Sequence, residues 1–129
     1  MILVDSDVLI AHLRGVDVAR QWLLRSRRRS GRLATSVVCV AEVAGAMRSE
    51  ERRSVARLLS TVQAFPVTER VAWRGAELMR VHRRSNVGIG LGDYVVAATA
   101  EVEGLELATL NVKHFPMFEG LVAPFALDG

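Results

Sequence analysis

Short aliphatic stretches alternate with longer amphipathic segments along most of this sequence, and this alternation limits the folds open to it. The predicted strands are residues 2–4, 32–35, 64–67, 105–110 and 121–123. The predicted helices, after a short one that Gly15 ends, are residues 16–29, 37–48, 50–62, 68–84 and 92–103. Ser36 and Thr68 are predicted helix caps, Pro66 favours an edge position for its strand, and the helix over 37–48, apolar nearly all round, is predicted to be buried on most sides. Strands separated by helices of this length form βαβ units, in which helices cover both faces of a parallel sheet. We therefore predict a three-layer α/β/α fold with a short, mostly parallel central sheet.

Length and composition suit one ordered domain. The chain has 129 residues, of which 50% are hydrophobic and 24% charged, a balance typical of a packed core. Its single cysteine, Cys39, excludes an internal disulfide framework and a multi-cysteine zinc site. No apolar run is long enough to cross a bilayer, and the first is too short for a signal-peptide core. We expect a single domain over residues 1–129, located in the cytoplasm.

Three carboxylates occur alone in apolar surroundings. Asp5 directly follows the first predicted strand, Glu42 is the only charged residue in 36–47, and Asp93 is the only one in 85–100. A buried carboxylate costs several kcal/mol unless a cation compensates it. One divalent cation could compensate all three, so we treat them as a candidate metal site.

Each of these acids also has an ordinary structural explanation. Asp5, Asp7 and Asp93 could cap the helices that begin beside them, and Glu42 could pair with Arg14 or Arg48. One shared metal site replaces three separate explanations. Oxygen ligands without histidine or cysteine favour Mg²⁺ or Mn²⁺ over Zn²⁺. We expect surface or packing roles for the histidines, which are His12, His82 and His114.

The predicted topology brings further polar residues to the same place. Asp5 ends the first strand, and Thr109 and Asn111 end the strand that begins near Leu105. In open parallel sheets, ligands bind outside the carboxyl ends of the strands. These side chains are therefore expected at one edge of the sheet.

The basic residues are almost all arginines. Of 17 cations, 16 are arginines, and Arg27, Arg28 and Arg29 are consecutive. The guanidinium fork suits phosphate contact, although such a run is also typical of a solvated helix end. Trp22 and Trp73 occupy apolar helical positions, so we expect them in the core and predict no platform for base stacking.

Four segments carry motifs in a fixed order. They are Met1–Ile10, Thr35–Glu42, Gly90–Ala100 and Leu107–Pro116. Together, and in a chain of this length, they resemble the motifs of PIN-domain ribonucleases, specifically the VapC-type toxins of bacterial toxin–antitoxin operons. The resemblance covers almost the whole chain and implies a PIN-like fold.

The resemblance also implies an activity and a set of site residues. The protein would be the toxin of a type II toxin–antitoxin system and would hydrolyse RNA with Mg²⁺ as cofactor, or with Mn²⁺ as an alternative. Expected partners are the RNA substrate, a VapB-like antitoxin that inhibits cleavage, and a second copy in a homodimer, with no membrane. The implied catalytic residues are Asp5, Glu42, Asp93 and Asn111, and the first three are also the implied metal ligands. The implied supporting residues are Ser6, Asp7 and Thr109. The implied RNA-binding residues are Arg27, Arg28 and Arg29.

Two positions depart from the family pattern. Asp7 stands where asparagine is usual, and Asn111 stands where many members have a fourth aspartate. Asp7 could replace the missing carboxylate, and a neutral Asn111 could still hydrogen-bond to a coordinated water. The number of bound ions, one or two, therefore stays open.

Two other functions remain as alternatives. The Asp5-Ser-Asp7 arrangement after an apolar strand also occurs in haloacid-dehalogenase-type phosphatases, but Leu9 replaces their threonine or valine and no later lysine with an acidic pair follows. A non-enzymatic, arginine-rich nucleic-acid-binding module would leave Glu42 and Asp93 unexplained.

Overall fold

The computed structural model describes residues 1–85 and 88–127. Its strands are β1 (Ile2–Val4), β2 (Ala34–Ser36), β3 (Gln63–Phe65) and β4 (Glu106–Ala108). Its helices are α1 (Ser6–Leu13), α2 (Asp17–Ser30), α3 (Val37–Ala46), α4 (Arg52–Ser60), α5 (Glu69–His82) and α6 (Leu91–Glu103). Short 3-10 turns occur at Ser49–Glu51 and Val112–His114. Within these residues, no helix combines the length and apolarity needed to cross a membrane.

The strands form one parallel sheet in the order β3-β2-β1-β4. Neighbouring residues of β1 face opposite layers, because side chains alternate along a strand. Val4 packs with α1, α2 and α4, whereas Leu3 packs with α5 and α6. The predicted three-layer α/β/α fold and parallel sheet are confirmed, and β3 is an edge strand as its neighbouring Pro66 indicated.

Several helices begin at the carboxyl edge of the sheet with a side-chain cap. Asp5 caps α1, Ser36 caps α3 and Thr68 caps α5, each accepting a backbone N–H from the first turn. The caps predicted at Ser36 and Thr68 are confirmed. No loop separates β1 from α1 or β2 from α3, so functional side chains at these junctions are held by the sheet itself.

Two expectations about local structure are wrong. Residues 121–123 form no strand, because Gly120 turns the chain with φ of 76° and Pro124 has no N–H to donate to a ladder. The helix α3 buries only Cys39 and Val43 rather than most of its surface. It contacts α1 and α6, which belong to different layers, and so lies across the sheet edge instead of within a layer.

The two tryptophans differ in their environment. Trp22 packs against the α1–α2–α4 layer and contacts Phe125, with 6.4 Å between ring centroids. Trp73 is 68% exposed on α5, so its predicted core position is wrong. It lies beside Arg70 and Arg74 on the outer face of α5. There these side chains line a surface cleft instead of packing in the core.

Candidate metal centre

Asp5 lies at the centre of the site, at the junction of β1 and α1, and is 6% exposed. Its Oδ1 accepts hydrogen bonds from Ser6 N–H at 2.8 Å and from the Cys39 thiol at 3.6 Å. Its Oδ2 accepts one from Thr109 Oγ1 at 2.8 Å. Burial raises the pKa of Asp5, the bond from Thr109 opposes that rise, and the charge of Asp93 adds to it. The hydrogen bonds thus hold the Asp5 carboxylate in place, but they do not offset the full cost of burying its negative charge.

Glu42 extends from α3 toward the same point, and its Oε1 accepts a hydrogen bond from Ser6 Oγ at 3.2 Å. The residue is exposed rather than buried, which corrects the expectation drawn from its apolar neighbours. Partial burial raises the pKa of Glu42, with the charges of Asp5 and Asp93 contributing. Arg14, an alternative partner for Glu42, pairs instead with Glu51.

Asp93 enters the site from the first turn of α6, and its side chain is 27% exposed. Its Oδ2 accepts Gly90 N–H at 3.3 Å and lies 2.9 Å from His114 Nδ1. The capping role considered for Asp93 is therefore real but weak, and it coexists with a place in the acidic cluster.

Asp7 lies beside this cluster in the first turn of α1. Its Oδ2 accepts Leu110 N–H at 3.0 Å and lies 3.2 Å from Thr109 Oγ1. Its Oδ1 is buried without a hydrogen bond from the described residues. Burial, reinforced by the charge of Asp5, raises the pKa of Asp7 to about 6.

Two residues of the site were missed from the sequence. His114 was expected in a surface or packing role, yet its Nδ1 lies 2.9 Å from Asp93 Oδ2 and 2.8 Å from Asn111 Nδ2. The 3-10 turn at Val112–His114 explains the contact with Asn111, since residues three apart meet there, and the Asn-x-x-His spacing was the available signal for it. Cys39, considered only for disulfides and zinc, contacts Asp5.

The donor set fits a hard divalent cation. Ligand atoms of Asp5, Cys39 and Glu42 all lie within 4.8 Å of one another. Burial and the charge of Asp5 raise the pKa of the Cys39 thiol to about 12, so this group acts as a hydrogen-bond donor rather than a thiolate ligand. Carboxylate oxygens remain as ligands, and these select Mg²⁺ or Mn²⁺. The carboxyl pKa values raised by burial and mutual repulsion indicate negative charge that a cation would stabilise.

The arginine run is not brought to this cluster. Arg27, Arg28 and Arg29 form the last turns of α2, which precedes β2, and so lie near the amino-terminal edge of the sheet. Arg29 lines a cleft with Ile2 and Glu106, the first residues of β1 and β4. The carboxylates occupy the opposite edge. Any contact of these arginines with RNA is therefore remote from the acidic site.

A second concave surface lies between α1, α2 and α4. Its floor is apolar and includes Leu9, Leu23 and Leu58, while Arg20 and Arg27 also line it. Leu24, which is 44% exposed, completes this apolar groove.

Comparison with known proteins agrees with the fold. The PIN domain family matches residues 2–116. The chain is 61% identical over 129 residues to Ribonuclease VapC10 of Mycobacterium tuberculosis, covering 100% of this chain and 96% of the relative. It is 36% identical over 125 residues to Ribonuclease VapC19 of the same species, covering 97% and 100%.

Solved structures of related complexes share the fold. A toxin–antitoxin complex from Klebsiella pneumoniae superposes with a TM-score of 0.82 at 28% identity, covering 97% of this chain and 98% of the other. VapBC2 of Rickettsia felis, bound to a promoter DNA fragment, shares the fold with a TM-score of 0.75 at 21% identity, covering 95% and 97%. With the family model matching residues 2–116 and two ribonuclease relatives matched along nearly their whole length, this chain belongs to the PIN domain family, in the group of the VapC ribonucleases.

Proposed function

We propose that this protein is a metal-dependent endoribonuclease and the toxin of a type II toxin–antitoxin system. The observation that carries the proposal is that Asp5 and Glu42 bring ligand oxygens within 4.8 Å of each other from two separate elements, while the charge of Asp93, on a third element, raises the pKa of both. In the part of the chain that the structure describes, no arginine or lysine forms an ion pair with any of them. The names of the two VapC ribonuclease relatives and of the toxin–antitoxin complex support the same conclusion.

Asp5 and Asp93 would hold the cation, and Glu42 would contact it directly or through water. A bound Mg²⁺, or Mn²⁺ in its place, would lower the pKa of water and stabilise negative charge that develops on the phosphodiester. Ser6 links two of these carboxylates, because its N–H donates to Asp5 and its hydroxyl donates to Glu42. Asp7 would add a fourth carboxylate next to Thr109.

Asn111 would act on the substrate side of the site. It is exposed, and its backbone N–H donates to Thr109 Oγ1 at 3.1 Å, which ties the residue to the carboxylates. A neutral amide can donate to a phosphate oxygen or to a coordinated water without adding negative charge. Arg27, Arg28 and Arg29 would bind the RNA backbone at a distance from the cleaved bond.

The experiment is cleavage of cellular RNA by the purified full chain, with mapping of the new RNA ends. We expect cleavage with Mg²⁺ or Mn²⁺ and none with chelator. Asp5→Asn and Asp93→Asn should each lose cleavage while remaining folded. Asp17→Asn is the matched control, because Asp17 is exposed on α2, where its carboxylate accepts a hydrogen bond from Gln21. Cleavage that persists in chelator would contradict the metal mechanism.

The apolar groove between α1, α2 and α4 would bind the antitoxin. Its leucines suit an amphipathic helix, and Arg20 and Arg27 favour acidic side chains along the rim of that helix. The antitoxin should be a small protein encoded beside this gene, and an arginine from it could pair with the acidic cluster. An enzyme that cleaves cellular RNA under such control would act in the cytoplasm.

Inhibition tests this partner. The product of the adjacent small reading frame should silence cleavage at a one-to-one ratio. Leu24→Glu should prevent this inhibition, whereas Val81→Glu on α5, where the valine is 70% exposed, should not. Binding without inhibition would contradict the blocking role.

Sedimentation of the free toxin at tens of micromolar tests the proposed homodimer, which a strictly monomeric protein would contradict.

A further inference from the structure

We propose that His114 is a positioning residue of the metal centre, which orients Asp93 and Asn111 for their roles. This inference rests on the proposed function, because it assigns a task within the same site. His114 would not itself contact the cation. Its side chain is 32% exposed, and the contacts at its Nδ1 define the task.

The first step is the rigidity of the segment that carries His114. In the 3-10 turn, His114 N–H donates to Asn111 O at 3.0 Å and Phe115 N–H donates to Val112 O at 3.1 Å. The next side chain, Phe115, is 1% exposed within the core beneath α5 and α6. A buried aromatic ring directly after His114 anchors the turn, so the imidazole has little freedom to leave the site.

The second step is the hydrogen bond to Asp93. His114 Nδ1 and Gly90 N–H both approach Oδ2, at 2.9 Å and 3.3 Å. A nitrogen lone pair facing a carboxylate oxygen would be repulsive, so Nδ1 carries a hydrogen and donates it. With Oδ2 occupied in this way, Oδ1 has no hydrogen bond from the described residues and is the oxygen available to a cation.

The third step concerns Asn111, whose amide reaches the same nitrogen at 2.8 Å. Because Nδ1 has a single hydrogen and donates it toward Asp93, the compatible amide atom is Oδ1, which shares that hydrogen in a three-centre bond; rotating the amide by 180° brings Oδ1 to this position without changing its outline. The amide NH₂ group is then free to donate to a phosphate. His114 would thus set the orientation of Asn111 as well as that of Asp93.

The final step links the two main carboxylates. Asn111 N–H donates to Thr109 Oγ1 at 3.1 Å, and Thr109 Oγ1 donates to Asp5 Oδ2 at 2.8 Å. Residues 109–114 therefore contact Asp5 at one end and Asp93 at the other, although these carboxylates come from β1 and α6. His114 completes this bridge, as outer hydrogen-bond partners do at many metal sites.

The test is Mn²⁺ binding to the purified full chain, measured by calorimetry without RNA. Loss of such an outer partner typically weakens metal affinity about 10–100-fold. We expect a loss of that size in His114→Ala and in His114→Phe, which preserves a ring but no donor. His114→Asn should restore most of the affinity, because its amide can donate near the position of Nδ1. Lys113→Ala is the matched control in the same turn, since Lys113 is exposed.

The outcomes separate the two proposals. Mn²⁺ affinity in His114→Ala equal to that of the wild type would overturn the positioning role and leave the proposed function standing. A wild type that neither binds Mn²⁺ nor cleaves RNA would overturn both. Thermal melting in chelator distinguishes a folding defect from a loss of metal affinity. If His114→Asn binds Mn²⁺ as weakly as His114→Ala and both keep the wild-type melting temperature, the hydrogen-bonding role is contradicted.

Discussion

Thr109 donates its hydroxyl hydrogen to Asp5 across 104 positions of sequence, with 2.8 Å between Oγ1 and Oδ2. Thr109 is fully buried and Asp5 is 6% exposed, so water contributes little to this contact. Burial raises the pKa of Asp5, and the bond from Thr109 lowers it. The hydroxyl therefore favours the ionised carboxylate, which is the form that can bind a cation.

Thr109→Val should weaken metal binding, because valine matches threonine in shape but has no hydroxyl. We expect Mn²⁺ affinity to fall about 10–100-fold. The free energy of unfolding at pH 7 should fall by about 1–3 kcal/mol, since a buried charged acceptor loses its donor. Thr109→Ser keeps the hydroxyl and should restore affinity. A valine variant that binds Mn²⁺ as tightly as the wild type would contradict the role of the hydroxyl.

Asp5→Asn should separate stability from activity. Because burial raises the pKa of Asp5, the ionised side chain destabilises the metal-free fold, and the neutral amide removes this cost. In chelator at pH 7 we expect a higher melting temperature than in the wild type, together with complete loss of cleavage in Mg²⁺. A lower melting temperature would mean that the amide cannot match the donors at Ser6 and Thr109.

Asp7 should make the metal-free protein less stable as the pH rises. Burial raises its pKa from 3.8 to about 6 in the folded state, so between these values the folded chain binds more protons than the unfolded chain. The stabilisation that the folded state gains from the protonated Asp7 is complete below about pH 4. It is lost as the pH rises to about 6 and stays lost above that value. The loss is at most about 3 kcal/mol. Urea unfolding of wild type and Asp7→Asn in chelator should diverge over this window, whereas parallel curves would contradict the shift.

Asp7 and Asn111 should be energetically coupled if Asp7 replaces the family's fourth carboxylate. Asp7 Oδ2 accepts Leu110 N–H, directly before Asn111 in sequence, so the two side chains flank one backbone position. We expect Asp7→Asn to weaken Mn²⁺ binding and Asn111→Asp to restore part of it. A double-mutant cycle measures the coupling. Strictly additive changes would argue against the exchange.

Most of the fold and the carboxylate cluster could be predicted because both depend on local patterns. Alternating strands and helices indicate a parallel sheet, and a parallel sheet brings Asp5 and the residues after β4 to one edge. The exposure of α3 could not be predicted, because an apolar helix across a sheet edge has the same sequence pattern as a buried one. The exposure of Trp73 on the outside of α5 has a similar origin.

His114 and the position of the arginines depended on tertiary geometry. The contact between His114 and Asp93 joins a 3-10 turn to a helix 21 residues away, and no local pattern reports it. The arginine run has the composition of a phosphate-binding segment, but composition does not say at which edge of the sheet a helix ends. The order of the elements decides it, because α2 leads into β2 and therefore ends at the amino-terminal edge.

The location of the arginine run leads to a last prediction, about substrate binding. Replacing Arg27, Arg28 and Arg29 together by glutamine should weaken RNA binding and reduce its salt dependence by about 2 units of the log–log slope, as expected for three lost phosphate contacts on a single strand. The cleavage rate at saturating enzyme should not change, because these residues lie at the sheet edge opposite Asp5. Asp93→Asn is the reciprocal control, which should lose cleavage and still bind RNA. Unchanged RNA affinity in the triple variant would exclude a binding role for these arginines, and a slower rate at saturation would contradict their distance from the acidic site.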